Sequence, residues 1–437
     1  MTMSTRSNIK RAFGLGGSMA GVRLVCSFLS IKITAIYLGP AGLALVAQFA
    51  NFVSLWQSMI ATGLGTGLVR LSAEYGDDPA RRQRLLSTAL RLGIIMVGLL
   101  TVVLLVGSPF ISQWLLSDRS YTWLIAIAGF AVAGMVFNDV FLSALTSVRE
   151  IGVVASSNVI STVVGLCIFL VCCYFWGVTG GLIGTFTVYI VTFLITLVIV
   201  RLRATIVKFG DFRHGFDWVE CKRILGFYHM LIINGMVPPL ALIVVRDALV
   251  GDMGLDAAGI WQATWRLSDA YQLVITSSMS LYFMTRMGEV ANDPARLRRE
   301  VWRSVGAVVV ITGAMALAIF VLRHWIVHIV FSKAFLSVAD LLPLQLLGDV
   351  LKMAGWILSM VLVALVRGRW FIFLTVSVGL VFAGTAKLLI PQMHEQGAVV
   401  AYLVSGIVHI VLASIALRDV LFTVHAPKAL RAAVEEN

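Results

Sequence analysis

"EYGDDPARRQR" occupies residues 74–84, and "EVANDPARLRR" occupies residues 289–299. Aligned, Glu74, Asp78, Pro79, Ala80, Arg81 and Arg84 fall on Glu289, Asp293, Pro294, Ala295, Arg296 and Arg299, at a constant spacing of 215 residues. Each copy is a basic, helix-breaking segment, Asp-Pro followed by arginines. A second echo opens the segments just upstream, "AGLALVAQF" (41–49) and "AGIWQATWR" (258–266). The alternative is ordinary loop chemistry repeated by coincidence. The economical reading is one structural unit written twice.

The solvent of that unit follows from composition. Of 437 residues, 59% are hydrophobic and 13% charged, and the mean hydropathy is +0.94. Water-soluble domains carry about 25% charged residues, so lipid must cover most of this surface. The net charge of +12 then reads as loops facing anionic lipid rather than as a nucleic-acid surface. The five cysteines lie in or beside apolar stretches, without zinc-ligand spacing.

A spanning helix needs about 20 apolar residues. Twelve segments qualify: 13–38, 41–71, 86–107, 121–146, 152–175, 178–200, 224–246, 257–285, 304–325, 337–366, 370–390 and 397–421. With both termini cytoplasmic, 23 Lys and Arg fall in cytoplasmic segments, against only Arg119 and Lys333 outside. That bias orients the chain. Both Asp-Pro copies are then cytoplasmic, each following the second span of a six-span set. The expected fold is all-α: two six-helix lobes, 1–208 and 224–437, joined by a basic linker at 209–223. A pseudo-two-fold axis along the membrane normal would relate them.

A charge at mid-span costs about 2.5–3.5 kcal/mol, yet polar residues recur there on shared faces. In span 8, Gln262, Arg266 and Asp269 follow i, i+4, i+7 spacing; in span 10, Gln345, Asp349 and Lys352 repeat it. Span 2 has an uncharged version in Gln48, Asn51, Ser58 and Thr62, and span 1 carries Arg23 and Lys32. Arg70 and Arg246 lie toward span ends, and Asp139 stands in span 4, one turn from Ser143. Local ion pairs, Arg266 with Asp269 and Asp349 with Lys352, are one explanation. They do not account for the surplus of cations. A cationic cavity between the lobes suits an anionic substrate, with Arg and Lys contributing phosphate contacts. Asp269 and Asp349, and less so Asp139, are candidates for a proton or sodium coupling site.

Other signals are weaker. His324 and His328 are one turn apart but have no carboxylate close in sequence. Gly63, Gly65 and Gly67 favour helix packing over phosphate binding, because no strand precedes them. Pro238-Pro239 is expected to kink span 7.

"GPAGLALVAQF" (39–49), "GIWQATWRLSDAY" (259–271) and "LQLLGDVLKM" (344–353) resemble the Wzx flippases of bacterial polysaccharide assembly. The likeness is to the branch of O-antigen translocases and the flippase for the lipid-linked unit of enterobacterial common antigen. That family lies in the superfamily of multidrug, oligosaccharidyl-lipid and polysaccharide exporters, with a MATE-like fold. The resemblance implies a transporter, not an enzyme, that moves an undecaprenyl-pyrophosphate-linked oligosaccharide from the cytoplasmic to the periplasmic leaflet of the inner membrane. It implies alternating access, no cofactor beyond a proton or sodium gradient, and a monomer among membrane lipids. A polysaccharide polymerase and a chain-length regulator would be its partners, and nucleic acid would not. Asp269, Asp349 and Lys352 sit within family strings, and Arg23 and Lys32 fall where that branch places basic residues. Substrate contact would fall to Arg23, Lys32, Arg70, Arg246, Arg266, Lys352, Gln262, Gln345, Gln48 and Asn51. The alternative is a cation- or proton-coupled multidrug antiporter of the same fold, which calls for an acidic cavity. A polymerase or ligase would need a large external loop, and every external loop here is short.

Overall fold

The computed structural model describes the backbone at residues 3–75, 78–148, 150–203, 215–226, 228–290 and 293–422. Residues 204–214, which include the first part of the expected linker, lie outside the described residues, as do the side chains of 1–20 and of Thr62. The helices are α1 (Met3–Tyr75), α2 (Pro79–Leu116), α3 (Thr122–Ser147), α4 (Ile151–Arg203), α5 (Trp218–Gly226), α6 (Tyr228–Met253), α7 (Leu255–Val290), α8 (Pro294–Val330), α9 (Val338–Ala364), α10 (Gly368–Met393), α11 (Glu395–Ala416) and α12 (Arg418–Leu421).

The twelve spans are present, though not as twelve separate helices. Among the described residues, nine helices are long and apolar enough to cross a membrane. Two of these, Gly21–Ser72 and Gly152–Leu202, run to 52 and 51 residues. Each is broken at a glycine with positive φ, Gly39 (φ 66°) and Gly177 (φ 53°), so each supplies two spans. The twelfth is α7, whose polar face lowers its hydropathy. Pro391 stands in the last turn of α10 rather than between spans. The helix α6 runs through Pro238 and Pro239 without a break.

Large apolar side chains stand open where lipid replaces water. On α2, Val106 is 80% exposed and Phe110 75%, exposure that an aqueous surface would not tolerate in so continuous a band.

The chain forms two compact units, Met1–Ile243 and Val244–Asn437. The division falls inside α6, so the N-terminal unit includes α5 and the first half of α6. α5 lies at the end of the expected linker, and its packing explains the association. It buries Cys221 and Ile224, and Asp217 N donates to Thr88 Oγ1 at 3.0 Å. Tyr75 OH donates to Glu220 Oε2 at 2.5 Å and accepts from Arg223 Nη1 at 2.7 Å. Burial and the Glu220 carboxylate raise the Tyr75 phenol above its ordinary range, with Arg223 acting the other way.

The repeat that opened the sequence is visible as geometry. Asp78 caps α2 by accepting from Ala80 N and Arg81 N, with Pro79 at the first helical position. Asp293 caps α8 by accepting from Ala295 N and Arg296 N, with Pro294 in the same place. Each aspartate also faces its arginine, Arg81 at 3.4 Å and Arg296 at 3.1 Å. A 3-10 turn precedes the fourth span of each set, Arg119–Tyr121 before α3 and Lys333–Phe335 before α9.

Candidate substrate and coupling site

In the C-terminal unit the polar residues gather around Asp349, which is fully buried near the middle of α9. Its Oδ2 accepts from Ser268 Oγ and Tyr271 OH, both at 2.7 Å. Its Oδ1 accepts from Gln272 Nε2 at 2.7 Å and Tyr402 OH at 2.8 Å. Ser268, Tyr271 and Gln272 share one face of α7 through i, i+3, i+4 spacing. Tyr402 reaches over from α11 because residue 348 is glycine: a Cβ there would lie 2.6 Å from the tyrosine ring. Burying a carboxylate costs several kcal/mol, and here four neutral donors offset the cost by filling its acceptor sites.

The ion pair weighed for Asp349 and Lys352 is therefore not formed. Lys352 is half-buried. Its Nζ lies 4.9 Å from the centroid of the Trp265 ring and 5.4 Å from that of Tyr402. Cation–π attraction of about 0.5–2 kcal/mol holds it there. Trp265 stacks on Phe382 and meets Tyr402 edge-on, at centroid distances of 5.8 and 5.0 Å. Asp269 is exposed, and Lys352, Asp349 and Arg266 are its charged neighbours.

Arg246 on α6 is 1% exposed. Its Nη2 donates to Gln262 Oε1, and its guanidinium stands 5.7 Å from the centroid of Trp261. Arg266 is its charged neighbour. One turn before Asp349, Gln345 is buried, and neither amide atom has a hydrogen-bond partner among the described residues. The unit thus brings together Arg246, Gln262, Arg266, Asp269, Gln345, Asp349 and Lys352 from three helices.

The N-terminal unit gathers less. Asp139 on α3 is half-buried, and its Oδ2 accepts from Gln57 Nε2 at 3.0 Å. It lines a cavity of about 480 Å³ with Thr66, Arg70, Ser143 and Thr146. Arg70 is exposed, 4.0 Å from Glu74. Gln48 is buried, and Asn51 is half-buried with no partner for Nδ2 among the described residues. Arg23 and Lys32 are exposed on the first half of α1, and no described contact joins them to the other candidates.

Reading for charge missed the neutral donors. Gln57, Ser268, Tyr271, Gln272 and Tyr402 position the carboxylates, and Trp265 positions the lysine. One signal was available: Gln57 and Gln272 are 215 residues apart, the spacing of the Asp-Pro loops.

Twelve spans in two helical units, with charged side chains inside the spans, define a multi-pass membrane transporter. The family described as "Polysaccharide biosynthesis protein" matches residues 17–283, and the chain belongs to that family. Against the lipid III flippase of Escherichia coli (strain K12) it is 25% identical over 388 residues, covering 89% of this chain and 93% of that protein. The fold is shared with an inward-facing multidrug-resistance MATE family transporter (TM-score 0.73, 16% identity, 92% of this chain and 95% of that one). It is shared as well with the lipid II flippase MurJ in an inward closed conformation (TM-score 0.73, 14% identity, 92% and 87%). These relatives are flippases and transporters, not enzymes.

Proposed function

We propose that this protein moves an undecaprenyl-pyrophosphate-linked oligosaccharide, a surface-polysaccharide repeat unit such as O-antigen, across the bacterial inner membrane. Transport runs from the cytoplasmic to the periplasmic leaflet by alternating access, with both termini cytoplasmic. Arg266 and Lys352 contact the pyrophosphate, with Arg246 behind them. Gln262 and Gln345 take part in polar contacts to the headgroup. Asp269, open and beside Lys352, binds the coupling proton or sodium ion, releasing or engaging Lys352 as it does so.

One observation carries the reading. Lys352 stands mid-span, and the carboxylate that could neutralise it within its own helix is occupied by four neutral donors. A mid-span cation costs too much to be idle, and the arrangement preserves its charge for a ligand. Likeness to the lipid III flippase over most of both chains supports a lipid-linked substrate.

The test is genetic. Cells lacking the chromosomal copy are supplied with wild type, Arg266→Gln or Lys352→Gln, at matched membrane levels. Each substitution is expected to abolish surface display of the polysaccharide and to leave the lipid-linked unit accumulating inside. Normal display with both positions neutralised would refute the proposal.

A further inference from the structure

The cavity in the N-terminal unit differs in charge from the cationic cluster around Lys352. Arg70 has Glu74 at 4.0 Å, and the other charged group on the wall is the Asp139 carboxylate. A phosphate placed here would meet a carboxylate and an arginine already beside an acid. The remaining polar wall is hydroxylic. Ser143 and Thr66 have no protein hydrogen-bond partner among the described residues. Thr146 Oγ1 donates to Leu142 O at 2.7 Å, so it offers a ligand acceptor capacity only. Gln57 and Asn138 fix Asp139 by hydrogen bonds to its carboxylate, which still leaves lone pairs for a ligand hydroxyl. Val69 and Leu142 supply apolar wall. About 480 Å³ lies within the usual range for small-molecule sites, about 300–1,000 Å³.

We infer that this cavity is a binding subsite for an uncharged sugar residue of the carried glycan, with Asp139 and Ser143 engaging its hydroxyls. A carboxylate beside hydroxyl groups and apolar surface matches a polyol whose C–H face is apolar. It disfavours both phosphate and acidic sugars. The assignment rests on the flippase reading for the source of the sugar, and not for the existence of the site.

The experiment uses the full-length protein in nanodiscs. The probe is the host's own glycan, released from its lipid by mild acid and freed of phosphate, and binding is followed by saturation-transfer NMR. Saturable binding to wild type is expected, weakened about tenfold or more by Asp139→Asn through loss of charge-assisted hydrogen bonds. Ser143→Leu, which fills the cavity, should do the same. Thr66 is exposed on the cavity wall, and Thr66→Trp should also block binding in a variant whose thermal melt matches wild type. Inorganic pyrophosphate should not compete. No binding to wild type, full binding to Ser143→Leu and Thr66→Trp, or competition by pyrophosphate would each overturn the subsite. Binding as expected from a protein that cannot restore surface display in cells would uphold the subsite and refute the flippase reading.

Discussion

Asp139 and Asp349 are the same idea executed in two ways. Each stands on the fourth span of its set, and each accepts from a glutamine on the second span, Gln57 or Gln272. In the N-terminal unit only the neighbouring Asn138 adds a further side-chain hydrogen bond, and Asp139 remains half-buried beside a cavity. In the C-terminal unit Ser268, Tyr271 and Tyr402 close around Asp349 until none of it is exposed. At the 215-residue spacing Ser268 answers to Val53, and Tyr271 to Trp56. The Trp56 indole nitrogen is buried without a partner among the described residues. A similar glutamine–aspartate pair is thus a rigid hub in one half and an accessible group in the other. The hub fixes Tyr402, and Tyr402 helps seat Lys352.

The sharpest break in that comparison is Asp349→Ala against Asp139→Ala. The first strands four buried donors, at about 1–3 kcal/mol for each left unsatisfied, so the protein should lose several kcal/mol or fail to accumulate. The second strands two donors, Gln57 and Asn138, beside open space and should cost less, about 1–2 kcal/mol. Thermal melts in detergent would decide; equal losses would erase the distinction. Tyr402→Phe comes next, removing one donor from Asp349 while keeping the ring beneath Lys352. A loss of about 1–2 kcal/mol with transport preserved is expected, and Tyr402→Leu should impair transport as well.

The caps test where the halves agree. Asp78→Ala and Asp293→Ala should each cost about 1 kcal/mol, with matching shifts in the same melts. The smallest effect lies beyond the last spanning helix, which ends at Ala416 rather than at 421, at Asp419 on α12, which is hydrogen-bonded to Arg367. That bond and the guanidinium charge hold its carboxyl below the ordinary carboxylate range. A depressed pKa stabilises above the unfolded value, and the contribution fades as pH falls through the folded one. Asp419→Asn should therefore be mildly destabilising at neutral pH and nearly silent in acid, below the carboxylate range. A deficit that persists unchanged in acid would assign it to packing instead.

Much of the architecture was legible because lipid imposes a simple rule: apolar runs of about 20 residues, with breaks at glycines such as Gly39 and Gly177. The Asp-Pro copies gave the repeat, while the capping role of Asp78 and Asp293 came from the structure. The site was legible in part. Mid-span charges stand out by their cost, so Asp349 and Lys352 were found. Tyr402 was not, because a tyrosine in an apolar helix looks like packing until its hydroxyl has a destination. It comes from a different helix, 53 residues beyond Asp349. Nor does local spacing reveal whether two charges one turn apart will pair. Asp349 and Lys352 are at i, i+3 and do not, because four neutral donors from other helices already fill the carboxylate's acceptor sites. The same blindness applies to α5, whose basic, glycine-flanked sequence reads as linker until Cys221 and Ile224 are seen buried.

The central claim is that Lys352 retains its charge for a phosphorylated headgroup, and it is tested most directly with purified protein. Wild type and Lys352→Gln, matched for thermal stability, would be reconstituted into liposomes carrying a fluorescent lipid-pyrophosphate oligosaccharide, and its translocation rate measured. The account predicts that Lys352→Gln loses nearly all translocation while Lys352→Arg retains a measurable share. Equal rates for wild type and Lys352→Gln would contradict it.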